Sequence, residues 1–195
     1  MPILIYNLHW MTFNIFLAVL AVLFGLLFLK TNNKAVRVIT GVLWLVFLPN
    51  TIYLFTDLMH IIYQLPKVEG FEKGLLIVEH GVLQVIGFVT FILAFRPFER
   101  MLLWAKLHKQ QQTIAIIVFN FIIAYGIVLG RVERINSWEV FTQIGSVLNS
   151  MANVLTKPEL LALTILFGLF CNFFYFLFRD PIFNAAVRLR KNIVK

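Results

Sequence analysis

Five polar residues in an otherwise apolar stretch follow one another at spacings of three, four, three and four: Asn50, Tyr53, Asp57, His60 and Gln64. A helix of about 3.6 residues per turn gathers them into one stripe. Further along, Glu79 and His80 are adjacent, and Gln84 lies one turn beyond His80. Ionisable groups at such positions face a bundle interior or a wet cavity, because lipid contact is costly. Two carboxylates and two imidazoles, Asp57, His60, Glu79 and His80, are the donor types that hold a zinc-like or manganese-like divalent ion. Without a metal, His60 or His80 is a candidate base oriented by Asp57. Asp57 and His60, three residues apart, also read simply as a hydrogen-bonded pair. No fixed ligand spacing such as HExxH is present, so a cofactor remains unassigned.

A second polar group is Arg131, Arg134, Asn136 and Trp138, with Glu133 and Glu139 among them. Two arginines beside the start of a helix offer an anion site for phosphate or carboxylate. The alternatives are structural: Asn136 and Glu139 as a helix-capping pair, Trp138 as a headgroup-level anchor, and the arginines snorkelling to lipid phosphate. If Asp57 or Glu79 pairs with Arg131 or Arg134, the two polar groups form one site. In the last apolar stretch, Gly168, Asn172, Tyr175 and Arg179 align as a further polar seam.

The elements that must carry these residues are set by composition. The 195 residues are 61% hydrophobic and 13% charged, with a mean hydropathy of +0.88, whereas a soluble domain is about a quarter charged. A helix of about 20 apolar residues crosses a bilayer core. Five stretches qualify: 11–29, 38–65, 75–95, 113–130 and 158–178. A sixth, 138–155, is too polar to span but spaces Phe141, Ile144, Leu148, Met151 and Leu155 as an amphipathic helix in the interface. The expected fold is an all-α polytopic membrane helical bundle of about five transmembrane helices plus this outer interfacial helix, in a single domain over 1–195.

Pro49 removes a backbone donor inside the second span, so a kink or unwound turn is expected there, with a freed carbonyl near Leu45. Arg96 to Lys109 reads as a cytoplasmic surface helix. Asp180 and Pro181 read as the opening of another, with Ile182, Ala186, Leu189 and Ile193 on one face and Arg188, Arg190 and Lys191 off it. The first span has no Lys or Arg before it and no small-residue cleavage site, so it reads as retained and not as an export signal. Lys and Arg number five on one side of the five spans and twelve on the other. The positive-inside bias then puts the N-terminus outside and the C-terminus inside. On that orientation Asp57, His60, Glu79 and His80 reach similar depth, and Arg131 to Glu139 also lies on the outer side. The net charge of +8 reflects this topology and attraction to anionic lipid, with nothing to suggest nucleic acid. Cys171, the one cysteine, can form no internal disulfide and no Cys-based metal site.

Two segments carry a resemblance: Phe47-Leu48-Pro49-Asn50-Thr51-Ile52-Tyr53-Leu54-Phe55-Thr56-Asp57-Leu58 and Gly130-Arg131-Val132-Glu133-Arg134-Ile135-Asn136-Ser137-Trp138-Glu139. They resemble the signatures, roughly FLPNAPYxxTDL and GRxxRxNSWD, of the bacterial membrane protein family called domain of unknown function 1361. The chain departs from them at Thr51, Ile52 and Glu139. The resemblance implies a bacterial cytoplasmic membrane and supplies no reaction. Three functions stay open: binding of a lipid headgroup or lipid-linked anion as an accessory to envelope assembly, a metal-dependent enzyme on such a substrate, and a small transporter or channel subunit. Membrane lipids, and other membrane proteins, are the expected partners.

Overall fold

Each of the five apolar stretches is helical in a computed structural model, which describes residues 2–193. Among the described residues, five helical passages are long and apolar enough to cross a membrane, which makes this a multipass membrane protein by length and composition. Helix α1 (Pro2–Lys30) is 29 residues long, about 43 Å at 1.5 Å per residue. It begins nine residues before the expected span. The extra turns carry Asn7, which is fully buried and hydrogen-bonded, so the polar start belongs to the helix.

Asn33 caps α2 (Lys34–Phe47) by accepting from the backbone N–H groups of Ala35 and Val36. The second passage then breaks twice, giving α3 (Asn50–Thr56), α4 (Leu58–Gln64) and a 3₁₀ turn (Leu65–Lys67). The first break is the expected one at Pro49. Two carbonyls beside the proline are served by the polar residues after it: Asn50 Nδ2 donates to the Phe47 carbonyl at 3.0 Å and Thr51 Oγ1 to that of Leu48 at 2.8 Å. The polar residues after the proline thus satisfy the backbone it disturbs. Asp57 stands at the second break.

Gly70, in the left-handed region at φ +53°, opens α5 (Gly70–Trp104), a conformation that costs glycine little. The helix runs through Pro97, so 96–109 is not a separate surface helix. Pro97 forfeits one bond, to the Leu93 carbonyl. Phe98 stacks on Phe119 at 3.9 Å and Phe95 meets Tyr175 at 4.3 Å, which holds both sides of the proline in place. Likewise α9 (Pro158–Ile193) continues through Pro181 and does not restart there, with Arg179 paired to Glu99 just before it. The side chains of Ala186, Leu189, Arg190, Lys191 and Ile193, expected on the faces of that tail, lie outside the described residues, as do Val194 and Lys195.

Between α6 (Lys109–Arg131) and α9, the expected interfacial helix is two: α7 (Glu139–Thr142) and α8 (Ile144–Thr156). The break falls at Gln143, at φ −140° and ψ 51°. It changes the phase of the second piece, so Val147, Ser150 and Val154 pack inward while Ile144, Leu148 and Leu155 stay exposed. The helix is therefore apolar on its outer side as well.

The chain forms two compact units, Met1–Ala94 and Phe95–Lys195, divided within α5. In the first, α1 packs along α2 and α3, with Met11, Ala18, Leu54 and Leu83 at the core. In the second, α6 packs along α9 and α8 lies against both, around Val128, Val154 and Leu160. Close approach needs glycine at Gly168, where a Cβ would stand 2.1 Å from the Phe121 ring.

Candidate functional site

The first unit builds its polar group around three residues of α1. Asn7, Trp10 and Asn14 are spaced by three and four, so they share a face. Asn7 and Gln64 exchange two hydrogen bonds, Asn7 Nδ2 to Oε1 at 2.7 Å and Gln64 Nε2 to Asn7 Oδ1 at 2.8 Å. Asn7 Nδ2 also donates to Glu79 Oε2 at 3.3 Å, and Trp10 Nε1 donates to Asn7 Oδ1 at 3.2 Å. One turn inward, Asn14 Nδ2 donates to Asp57 Oδ2 at 2.9 Å. Asp57 is fully buried, and such a charge needs donors of this kind.

The imidazoles meet on the Trp10 indole, with ring centroids at 5.0 Å for His60 and 6.3 Å for His80. His60 is half-exposed, and its Nε2 lies 3.9 Å from Asp57 Oδ1. This is an ion-pair distance and too long for a hydrogen bond. His80 is fully buried. Its Nδ1 lies 3.0 Å from the Leu76 carbonyl, so that nitrogen carries a proton, which in the neutral ring leaves Nε2 with the lone pair. The four expected metal ligands thus share one unit, joined through α1 side chains. They do not form a ligand set: among the described residues no group of three or more His, Cys, Asp and Glu is placed to hold a metal. Tyr53 is half-buried, and Asn50 serves the kink.

The second unit holds Arg131, Arg134, Asn136 and Trp138. Arg131 ends α6, and Ile135 N–H returns to the Leu129 carbonyl at 3.1 Å. Glu133 accepts from Asn153 Nδ2 at 3.4 Å, tying the loop to α8. Asn136 Nδ2 donates to Glu139 Oε1 at 2.5 Å, side chain to side chain; this is not the expected helix-capping pair, because α7 starts at Glu139 with Trp138 at its N-cap and no side-chain cap bond. Arg134 is exposed and sits at φ +57°, a left-handed conformation that non-glycine residues rarely adopt. Trp138 is exposed.

That unit also settles the polar seam of α9. Tyr175 hydroxyl donates to Glu99 Oε1, and Arg179 Nε donates to the same oxygen at 2.6 Å. Arg179 reaches Asp180 as well, at 2.6 Å. Asn120 Nδ2 donates to Asn172 Oδ1 at 3.0 Å, and Asn172 Nδ2 to the Gly168 carbonyl at 2.8 Å. Glu99 and Asn120 were not expected here. Asn120 stands alone in an apolar span and is legible as buried polar, while Glu99 is hidden in a basic Arg-Pro-Phe-Glu-Arg run.

A family model for proteins of unknown function, DUF1361, matches residues 13–174. The chain belongs to the DUF1361 family. No curated protein and no solved structure matches it. The DUF1361 match takes in Asn14, Asp57, His60, Glu79, His80, Gln84 and the Arg131–Trp138 loop, and leaves Asn7, Trp10 and Arg179 outside it. It brings a family and no activity.

Proposed function

We propose that this DUF1361 protein binds an anionic lipid headgroup or lipid-linked anion through the loop 131–138, on the outer leaflet of a bacterial cytoplasmic membrane, as an accessory to envelope assembly. One observation carries the reading: Arg134 is exposed in a left-handed backbone conformation. That conformation costs about 1–2 kcal/mol for a side chain with a Cβ, and glycine would avoid the cost. Among the described residues the Arg134 side chain makes no hydrogen bond or ion pair, so nothing within the fold repays the strain. A phosphate would, through charge-assisted bonds to the guanidinium.

The surroundings suit a bilayer surface. Trp138 is 42% exposed, and Phe141, Ile144 and Leu148 follow it with their apolar side chains outward, as an interfacial segment requires. The outer-leaflet assignment rests on the Lys and Arg asymmetry. The reading stands above a metal-dependent enzyme because the ligand cluster such an enzyme needs is not found among the described residues.

The test is lipid retention by the purified protein, counted by native mass spectrometry with phosphatidylglycerol against phosphatidylcholine. Arg134→Gly relieves the backbone and removes the guanidinium. It is expected to weaken phosphatidylglycerol binding by roughly tenfold or more, the equivalent of one charge-assisted bond, with Arg134→Lys between. Wild-type binding by Arg134→Gly would overturn the proposal.

A further inference from the structure

Among the described residues, two buried acceptors of the first unit have no partner. His80 Nε2 and Gln84 Oε1 are both enclosed and unbonded, and they lie four residues apart on α5, hence on one face. Neither can be turned to remove the mismatch. Gln84 Nε2 donates to the Leu54 carbonyl at 2.9 Å, which fixes the amide with its oxygen as the remaining pole. His80 Nδ1 is held by the Leu76 carbonyl, which leaves Nε2 as the acceptor.

A buried carboxylate lies at the same level. Gly87 packs on Thr51 and Leu54, Gln84 bonds Leu54, and His80 shares the Trp10 indole with His60. This antiparallel register puts Asp57, between Leu54 and His60 in the chain, level with the interval between Gln84 and His80. The N–H donors that α1 brings nearby are already engaged: Asn14 Nδ2 on Asp57, Trp10 Nε1 on Asn7, and Asn7 Nδ2 on Gln64 and Glu79.

We infer that His80 Nε2 and Gln84 Oε1, beside the Asp57 carboxylate, form a binding site for a primary ammonium group. Such a group is donor-only, and the two unpartnered atoms are both acceptors. A water would bring two lone pairs that need donors of their own. Residues four apart on a helix are surface neighbours, with Cβ atoms about 5–6 Å apart, so their two acceptors can converge on one nitrogen that makes bonds of about 2.9 Å. The negative charge of Asp57 favours the cation over a neutral hydroxyl. This site lies in the first unit and does not depend on Arg134, so the two proposals fail separately.

The test uses the whole purified protein with histidine ring nitrogens labelled with ¹⁵N. Methylammonium chloride is titrated against tetramethylammonium chloride, which has the charge and no N–H, at matched ionic strength. The expected result is a saturable shift of the His80 Nε2 resonance and a saturable rise in unfolding temperature with methylammonium alone. Gln84→Leu is expected to weaken half-saturation by roughly tenfold, and Arg134→Gly to leave it unchanged. Should His80→Phe fail to fold, Gln84→Leu with the Nε2 resonance as readout decides the matter alone. Nanodiscs assign the source of the amine: a shifted Nε2 in phosphatidylethanolamine discs without added amine identifies a headgroup, and a shift only with methylammonium identifies a free amine. Equal responses to the two cations, or an unmoved Nε2 resonance, would overturn the inference.

Discussion

The two units of this chain both bury polar side chains among apolar helices, and they dispose of them in opposite ways. In the second unit the charges close on one another: Glu99 takes Tyr175 and Arg179, and Arg179 takes Asp180, while the buried Asn120 Oδ1 is left without a partner. In the first unit Asn14 supports Asp57, the amides of Asn7 and Gln64 clasp, and two acceptors of α5 are left over. The Glu99 cluster behaves as a structural rivet, whereas the first unit leaves two acceptors on one helix face, His80 Nε2 and Gln84 Oε1, against a single one, Asn120 Oδ1, among the described residues of the second. A polar seam in a spanning helix is therefore not by itself a functional mark; what distinguishes a site is the balance of donors and acceptors.

SDS-titrated unfolding of single variants would sharpen or break this contrast. The largest effect is expected in the second unit from Gly168→Val, which drives a side chain into the Phe121 ring and should cost about 3 kcal/mol by overpacking. Next is Glu99→Ala, which strips the partner from buried Tyr175 and from Arg179. Arg179 is 42% exposed, so the loss should be about 2 kcal/mol, below the value for a fully buried pair. In the first unit Asn14→Leu removes a donor from the Asp57 carboxylate and should cost about 1.5 kcal/mol. Gly87→Ala meets the Leu54 Cβ at 3.0 Å and the Thr51 carbonyl at 3.3 Å, for about 1 kcal/mol. If Glu99→Ala proved neutral while Asn14→Leu proved severe, the assignment of rivet and site would be reversed.

Much of this organisation is legible in the sequence because lipid imposes so few solutions. Length and hydropathy give the five passages, and the spacing of Asp57, His60 and Gln64 gives their shared face. The same spacing in Asn7, Trp10 and Asn14 is masked because the apolar run that marks the first span starts at Met11, beyond the first two of them. Continuity through Pro97 and Pro181 was not legible: local propensity says stop, and contacts from distant helices override it, aromatic at Pro97 and the Glu99–Arg179 ion pair beside Pro181. Glu99 pairs across 76 residues with Tyr175, a separation no local pattern encodes. The split at Gln143 was equally hidden, because the inward face of α8 is chosen by packing on α6 and α9.

Arg134 offers the most direct measurement, since its backbone and its guanidinium make opposite demands. Relieving φ +57° with Arg134→Gly should leave the protein as stable in phosphatidylcholine discs as the wild type, or more stable by up to about 1 kcal/mol. Exchange into phosphatidylglycerol discs should then stabilise the wild type and leave Arg134→Gly unmoved. An equal gain in both proteins would contradict headgroup recognition by this loop and reduce its arginine to a general membrane anchor.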